Sequence, residues 1–294
     1  MRTHGSRRIL PYLYIAPTVV STLVFVIYPF LANFYYSLVE WDGFGPKRFV
    51  GLANFAAMAG DPRFGAALVT NLVYFVYIVI LPILLGLAIA SVIGRAKVRG
   101  LRAYQTIYFI PQVVAPIALG VIFRWVYAPL FGVAKGILEL IGLRHLVRPW
   151  LGSPETATTA VGIIGTWAWF GFCVILFVSG IQKIDEHLYE AAKIDGAGAF
   201  RQFWHVTLPD LRFEMVVALI MATVQSLGGY IFSVVRVTTN GAYGTRPLGL
   251  YAYQLAFVEG RVGYASAVML VLTALIMGIA ALGRVLGEGR GQTP

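Results

Sequence analysis

The residue types that usually carry out catalysis occur in this chain without the spacing that catalysis needs. Its histidines are scattered along the sequence, and none has the spacing of a metal-ligand set: His4, His145, His187 and His205. No Gly-Lys dipeptide occurs, which excludes the phosphate-binding P-loop, because that loop needs a lysine directly after its last glycine. We therefore expect a non-catalytic chain with no cofactor or metal of its own, so that any ATP chemistry belongs to another chain.

The most specific spacing lies in residues 182–209, a polar segment between two long apolar runs. Asp185 is placed to cap a short helix over 186–195, and Gly196 can adopt the left-handed conformation that ends it. Three aromatic residues follow at i, i+3 and i+4 in a second short helix before Pro209, and small residues keep the first helix and the turn narrow: Phe200, Phe203 and Trp204; Ala191, Ala192, Ala197 and Gly198. This pattern favours recognition of another protein. The alternative is a helical hairpin packed on the chain's own helix ends.

The elements that must position this segment are strongly apolar. Hydrophobic residues make up 59% of the 294 residues and charged residues only 12%, with a mean hydropathy of +0.77, unlike a soluble domain. A helix of about 20 apolar residues spans a bilayer, and six runs are long enough: 9–38, 64–94, 105–127, 158–180, 215–236 and 263–284. The sequence therefore predicts an all-α integral membrane protein with six transmembrane helices.

The first apolar run resembles a signal peptide at its start, and prolines lie inside several of the predicted helices. Basic residues precede the first run as in a signal peptide, but the run is too long and no small-residue cleavage site follows, so we expect a retained helix: Arg2, Arg7 and Arg8. Prolines inside the first three runs predict kinks: Pro17, Pro29, Pro82, Pro111 and Pro116.

The orientation follows from the distribution of basic residues, because positive residues in short loops resist translocation. The short connection between the second and third runs is basic and contains no acid: Arg95, Lys97, Arg99 and Arg102. We therefore expect both termini in the cytoplasm and the segments 39–63, 128–157 and 237–262 outside. The net charge of +10 is dispersed among the loops, so nucleic acid is not an expected partner.

Polar residues inside the runs are few, which limits the possible transport mechanisms. On these boundaries no Asp, Glu or His lies well inside a span, so self-powered ion-coupled transport is disfavoured. The fifth run carries a small and polar stripe at i, i+3, i+4 and i+7, and the fourth carries two aromatic residues on one face: Ala222, Gln225, Ser226 and Gly229; Trp169 and Phe172. These stripes are consistent with a solute pathway or with helix packing. The outer segment over 133–143 has helical periodicity, which favours a short helix on the membrane surface.

The polar segment also resembles a known motif. Glu190-Ala191-Ala192, Asp195-Gly196-Ala197 and then Phe203, Val206, Leu208 and Pro209 resemble the EAA motif of bacterial ABC importer permeases, the loop that docks on the ATPase subunit. Other blocks are similar to carbohydrate-uptake permeases such as the first permease of the maltose, trehalose and glycerol-3-phosphate importers: Phe49 to Leu52, Asn54-Phe55, Asp61-Pro62, Thr70-Asn71, Trp150-Leu151, Thr239 with Gly241, and Gly263 to Ala267.

This resemblance implies a maltose-permease-like type I ABC importer fold over 1–294, with a core of five spans over 64–284 and a cytoplasmic coupling hairpin over 182–209. It implies a second homologous permease in a heterodimer, two ATPase subunits that bind ATP and Mg, an external solute-binding protein and the inner membrane of a bacterium. The implied ATPase-coupling residues are Glu190, Ala191, Ala192, Asp195, Gly196 and Ala197. The implied cargo is a sugar or oligosaccharide.

The resemblance also assigns a pathway, with departures. The stripe residues of the fourth and fifth runs correspond to positions that line the sugar site of the maltose permease: Trp169, Phe172, Ala222, Gln225, Ser226 and Gly229. Family asparagines are here replaced by Ser226 and Gly229, and a family aspartate after Phe232 is Ser233. Glycerol-3-phosphate or another small polar solute is therefore an alternative cargo. A self-sufficient channel or secondary carrier is an alternative of a different class.

Overall fold

The computed structural model describes residues 6–94 and 100–288. Some residues used above lie outside this described part: His4, Arg2, Arg95, Lys97 and Arg99. The described chain divides into two compact units, one made of residues up to Asp61 together with Ala252–Val271, and the other of Pro62–Tyr251 together with residues from Leu272 onward. The expected single permease domain and its five-span core remain predictions.

Helices dominate both units, and the chain begins with long ones. In chain order to residue 126 the elements are α1 (Ser6–Thr22), a π-helical turn (Leu23–Ile27), α2 (Tyr28–Ser37), β1 (Val39–Glu40), β2 (Arg48–Phe49), α3 (Ala53–Ala59), α4 (Pro62–Phe75), a second π-helical turn (Val76–Ile80), α5 (Leu81–Ile93), α6 (Leu101–Val113) and α7 (Pro116–Val126). The two strands are antiparallel, with Val39 opposite Phe49.

The second half begins with short helices and ends with a long one. Its elements are α8 (Val133–Leu140), a 3-10 turn (Arg144–Leu146), α9 (Ala157–Ile181), α10 (Glu186–Ile194), α11 (Ala199–Gln202), a third π-helical turn (Phe203–Thr207), α12 (Leu208–Asp210), α13 (Arg212–Leu227), α14 (Gly229–Thr238), α15 (Leu248–Phe257) and α16 (Val262–Glu288).

The apolar helices account for the six runs expected from the sequence. Within the described residues four helical stretches are long and apolar enough to cross a membrane: Tyr12–Ser37, Pro62–Ile93, Ala157–Ile181 and Val262–Val285. Two bent pairs also qualify, Ala103–Val113 with Pro116–Val126 and Arg212–Leu227 with Gly229–Thr238. The all-helical membrane architecture is therefore confirmed, with up to six spans when each bent pair is one span.

The third apolar run forms two helices that meet at a sharp bend. Its two halves, α6 and α7, meet at 97°, and Val114 and Ala115 between them are extended. Ala115 precedes Pro116, and the proline ring disfavours the helical conformation of the residue before it. The other proline of this run, Pro111, is accommodated inside α6. The sequence predicted a kink at both prolines, whereas the structure places the break at Pro116 alone.

Three other prolines follow π-helical turns. Pro29, Pro82 and Pro209 each occupy the second residue of the helix that comes directly after such a turn. A proline has no N–H for the regular i to i−4 hydrogen bond, and a wider π-helical turn accommodates that loss without ending the span. The kinks expected at Pro29 and Pro82 are therefore absorbed locally.

The first unit is held by side-chain bonds to its loops. Asn54 Nδ2 donates to the carbonyls of Ser37 and Val39 at 2.9 and 3.0 Å, and Tyr264 OH donates to Asp61 Oδ2 at 2.7 Å. The backbone N–H groups of Gly45 and Phe44 donate to Asp42, which lowers the pKa of that exposed carboxyl. Several blocks that resemble carbohydrate permeases thus have structural roles in this unit.

The second unit is built around α9. This helix packs against α5 and α6, and its buried residues contribute to two apolar clusters, one of which includes Trp169 and the other Phe177. The approach of α6 is close, because a Cβ at Gly171 would lie 1.7 Å from the carbonyl oxygen of Tyr108. Such backbone proximity between membrane helices depends on small residues. The same unit contains the polar segment over 182–209.

Candidate functional site

The first helix of the polar segment has the ends that its sequence predicts. Asp185 Oδ1 accepts a hydrogen bond from the N–H of His187 at 3.0 Å, which caps α10. At the other end Gly196 has a φ of +76°. The N–H groups of Ala197 and Gly196 donate to the carbonyls of Ala192 and Lys193 at 2.8 and 3.0 Å. This pair of bonds is a Schellman motif, so the turn after α10 has one defined geometry.

Two side-chain contacts close the hairpin. Tyr189 is buried, and its hydroxyl lies 3.0 Å from Thr207 Oγ1, which joins α10 to the turn that leads into the fifth span. Gln202 Nε2 donates to the carbonyl of Ala197 at 2.8 Å. None of these three side chains is among the site residues predicted from the sequence. The sequence signal for Tyr189 was its aromatic ring next to Glu190 in a polar segment, because a tyrosine that becomes buried needs a hydrogen-bond partner for its hydroxyl.

The predicted coupling residues form the outer surface of this hairpin. Glu190, Ala191, Asp195 and Gly196 are exposed, and Ala192 and Ala197 are half-buried. No atom outside the immediate backbone lies within 4 Å of a Cβ placed at Gly196. Large apolar side chains surround these residues and are exposed too: Leu188 48%, Ile194 87%, Phe200 75% and Trp204 50%. A monomer gains nothing from such exposure on a polar segment, so this surface has the composition of an interface.

One of the three predicted aromatic residues faces inward. Phe203 packs against the apolar cluster around Phe177, while Phe200 and Trp204 remain exposed with their rings in edge contact at 6.1 Å. The regular i, i+3, i+4 pattern placed all three on one helical face. The π-helical turn that starts at Phe203 changes the helical repeat, so Phe203 turns towards the apolar cluster while its ring still meets that of Trp204 edge to face at 5.8 Å.

An ion pair attaches the hairpin to the spans. Lys183 Nζ lies 3.5 Å from Glu214 Oε1, and the Glu214 side chain is only 9% exposed. Glu214 lies in the first turn of α13, where the positive end of the helix dipole favours a carboxylate. The fifth run predicted from the sequence begins at residue 215, so Glu214 lies outside it and was given no role. An acid at the start of an apolar run was the signal that could have identified it.

The predicted pathway residues are divided between core and open surface. Trp169 and Ala222 belong to one buried cluster, where the Trp169 ring makes edge contacts with Phe172 at 5.5 Å and with Tyr230 at 6.4 Å. Ser226 is also buried, whereas Gln225 is half-buried and Gly229 is exposed. The burial of Trp169 and Ala222 in this cluster agrees with the interpretation that they pack helices together. Gln225 and Gly229 are accessible, as a pathway requires.

Unpaired hydroxyl groups lie beside these residues. Thr223 Oγ1, Ser226 Oγ and Tyr230 OH are buried and have no hydrogen-bond partner among the described residues. They occur at i, i+3 and i+7 along the bent fifth span, whose two helices α13 and α14 meet at 41° next to Gly228. A buried unpaired hydroxyl costs about 1–3 kcal/mol. Sequence analysis missed Thr223 and Tyr230.

The described part of the chain offers no metal centre. No group of three or more His, Cys, Asp or Glu side chains among the described residues could hold a metal ion. His187 Nδ1 instead lies 3.2 Å from Glu190 Oε2, and His205 Nδ1 lies 3.0 Å from the carbonyl of Arg201. Both histidines are therefore parts of the hairpin surface.

Comparison with known proteins identifies a family and several relatives. Residues 82–287 match the family described as "Binding-protein-dependent transport system inner membrane component". The chain is 33% identical to the probable ABC transporter permease protein YurN of Bacillus subtilis, with 94% of each chain covered. It is 35% identical to the diacetylchitobiose uptake system permease protein NgcF of Streptomyces coelicolor, with 92% of this chain and 81% of NgcF covered.

A solved structure shares the fold. It is a chain of the bacterial alginate ABC transporter in complex with an alginate pentasaccharide-bound periplasmic protein, with a TM-score of 0.75, 23% identity and coverage of 96% of this chain and 95% of the other. The maltose-permease-like type I importer fold expected from the sequence is therefore confirmed, and the EAA-like spacing lies inside the matched region.

Proposed function

Because this chain belongs to the family of binding-protein-dependent transport system inner membrane components, we propose that it is one of two permease subunits of an ATP-driven importer for a sugar or oligosaccharide. The chain is a non-catalytic membrane subunit. In this proposal it forms half of the translocation pathway, and a second, homologous permease forms the other half.

The observation that carries the proposal is the exposed surface of the hairpin. Energy must enter from a partner if the chain has no P-loop, and 182–209 offers a rigid surface for that partner. Glu190 and Asp195 supply charge, Ala191, Ala192 and Ala197 allow close approach, and Gly196 sets the turn. The exposed apolar residues Ile194 and Phe200 add area that a docked ATPase would bury.

The remaining partners and the location follow from the same proposal. Two ATPase subunits bind ATP and Mg, and an external solute-binding protein delivers the cargo. Both chain termini lie in the cytoplasm, and the permease spans the inner membrane several times. The periplasmic binding protein in the structure of the alginate transporter supports this arrangement.

The proposed cargo is a carbohydrate. NgcF is named for diacetylchitobiose uptake, and the alginate transporter complex contains an alginate pentasaccharide on its periplasmic protein. The pathway surface proposed here includes half-buried Gln225, exposed Gly229 and the hydroxyl of Ser226, with Trp169, Phe172 and Ala222 behind them. Hydroxyl and amide groups bond sugar hydroxyls, and aromatic rings pack on the C–H faces of sugars.

The coupling mechanism needs two states that the ATPases can bias. ATP binding closes the ATPase pair, and the docked hairpins move with it, which shifts the pathway between outward and inward access. The Tyr189–Thr207 contact and the Lys183–Glu214 pair transmit this movement to α13. The hairpin is therefore the element through which ATP drives transport.

Two glycines of the hairpin allow a matched test. Gly196 has a φ of +76° and Gly198 a φ of −68°, and nothing lies within 4 Å of a Cβ at either position. Gly196→Val should reduce ATP-driven uptake about tenfold or more, because a left-handed residue with a side chain costs about 1–2 kcal/mol and a β-branched one more. Gly198→Val adds the same volume to the turn without that strain and should retain more uptake than Gly196→Val, so the difference between the two variants measures the contribution of the left-handed residue.

The measurements are uptake of candidate sugars and co-purification of the complex. Both variants should insert and pair with the second permease, and the ATPase should be lost or uncoupled in Gly196→Val only. Equal and normal uptake by both variants with the ATPase bound would exclude the hairpin as the coupling element. Purification of an active transporter without any ATPase or second permease would instead favour a self-sufficient channel or carrier.

A further inference from the structure

A short helix outside the hairpin and the pathway exposes its apolar face. Helix α8 has apolar residues at i, i+4, i+7 and i+8, and all of them are exposed: Val133, Ile137, Leu140 and Ile141. Lys135 and Glu139 lie on its opposite face. A short amphipathic helix that turns its apolar side away from the protein needs an apolar medium on that side.

An apolar groove joins this face to the third span. The groove is open to the surface, has a volume of about 420 Å³ and is lined by Val121, Ile122, Trp125, Val126, Phe131 and Val133. The rings of Trp125 and Phe131 meet edge to face at 6.3 Å, and both are exposed. Because Val121, Ile122 and Trp125 lie on α7, a half of a candidate membrane span, the groove continues the exposed apolar surface of that span.

A cation lies at the rim of the groove. Lys135 Nζ donates to the carbonyl of Leu130 at 2.9 Å, and Leu130 is next to Phe131 of the groove wall. An ammonium has three donors, so two remain beyond this bond. Glu139 does not neutralise Lys135 through a contact in the structure and instead faces Arg144, with Arg144 Nε 3.5 Å from Glu139 Oε1.

We propose that this groove binds an anionic phospholipid, with an acyl chain between Trp125 and Val133 and the headgroup phosphate on Lys135. The apolar lining, its continuity with a spanning helix and the cation at the rim together match a lipid that has one chain and one phosphate within reach. The bound lipid fixes α8 in the membrane interface. This site is independent of the proposed cargo and of the coupling hairpin.

The test places a fluorescent probe on α8 in the assembled complex. Ile137→Cys is labelled with a bimane dye in complexes whose partner chains lack cysteine, since the natural Cys173 is buried. The complexes are reconstituted in nanodiscs that contain a small fraction of doxyl-labelled phosphatidylglycerol or, in parallel, doxyl-labelled phosphatidylcholine. We expect stronger quenching by the anionic lipid at equal mole fraction. Lys135→Gln should reduce this preference about fivefold, as loss of one cation near a headgroup predicts.

Two further variants separate the site from general effects of charge and folding. Arg144→Gln removes the same charge from the same segment and should leave the preference unchanged. Ile122→Trp fills the groove without a change of charge and should reduce the preference, with an unchanged elution profile of the complex. Equal quenching by the two lipids, or an equal loss in both charge variants, overturns the proposal. Absence of quenching by either lipid also overturns it, because protein would then cover the groove.

Discussion

Burial of individual side chains divides the predicted pathway residues into two groups. Trp169 and Ala222 lie in the core of the second unit, while Gln225 is half-buried beside the unpaired hydroxyls of Ser226 and Thr223. A substitution in the core acts first on stability, whereas a substitution at an accessible amide acts first on the solute. The boundary between buried and accessible positions therefore runs through the stripe of the fifth span, with Ala222 and Ser226 buried and Gln225 and Gly229 accessible.

A pair of glutamine substitutions tests this distinction. Gln225→Leu should alter uptake about fivefold or shift the preference among sugars, because one hydrogen bond is worth about 1 kcal/mol. Gln254→Leu is the control, since Gln254 is also half-buried but lies outside the stripe. Initial uptake rates over a panel of sugars give the measurement. Unchanged kinetics in Gln225→Leu would favour packing as the role of the whole stripe.

Trp169→Ala should act on the stability of the fold, whereas Gln225→Leu should act on the solute. Loss of a large buried aromatic side chain costs about 3–5 kcal/mol in a core, so less folded permease should accumulate, with any change of uptake secondary to that loss.

The hairpin is an element whose rigidity comes from both local and distant bonds. The Asp185 cap and the Schellman motif at Gly196 fix α10 alone, while the bond between Tyr189 and Thr207 joins it to the following turn across 18 residues of sequence. A coupling element must be stiff to transmit movement. The bond between Tyr189 and Thr207 is therefore the bond that matters for coupling, because it connects α10 to the turn before the fifth span.

A double-mutant cycle measures that bond. Tyr189→Phe and Thr207→Val each remove one hydroxyl of the pair and should increase hydrogen exchange across 186–207, because the hydrogen bond between α10 and the following turn is lost at a cost of about 1 kcal/mol. The double variant should be less impaired than the sum of the two, by a coupling energy of about 1 kcal/mol. Hydrogen exchange of α10 amides gives the measurement. Strict additivity would show that the two hydroxyls act independently.

At the scale of the whole molecule, membrane topology decides which surface meets which partner. The membrane architecture and the family are established, and the orientation is a proposal drawn from basic loop residues, several of which lie outside the described part of the chain. The same orientation places the hairpin in the cytoplasm and α8 on the other side.

Cysteine labelling from outside tests the orientation. Leu146→Cys lies in the exposed segment after α8 and should react with a membrane-impermeant maleimide in intact cells. Ala197→Cys should react only after the membrane is opened, and the unmodified chain gives the background because Cys173 is buried. Labelling of Ala197→Cys in intact cells would reverse the topology and remove the hairpin from the ATPase side.

Features that depend on neighbours in the sequence were predictable from the sequence alone. The apolar runs follow from about 20 consecutive residues each, and the Asp185 cap and the left-handed Gly196 follow from residues within about one helical turn. The structure has four long apolar helices and two bent pairs at the runs, and it has both the cap and the left-handed glycine. The family resemblance was equally visible, because the EAA-like spacing is local.

Features that depend on distant partners were decided only by the tertiary structure. Proline chemistry indicates a disturbance at Pro116 but leaves the size of the bend to the contacts of α6 and α7 with other helices. The inward position of Phe203, the burial of Glu214 against Lys183 and the division between Trp169 and Gln225 likewise depend on residues far away in the chain. Periodicity identifies a face of a helix, but only packing determines whether that face meets protein, lipid or a path for solute.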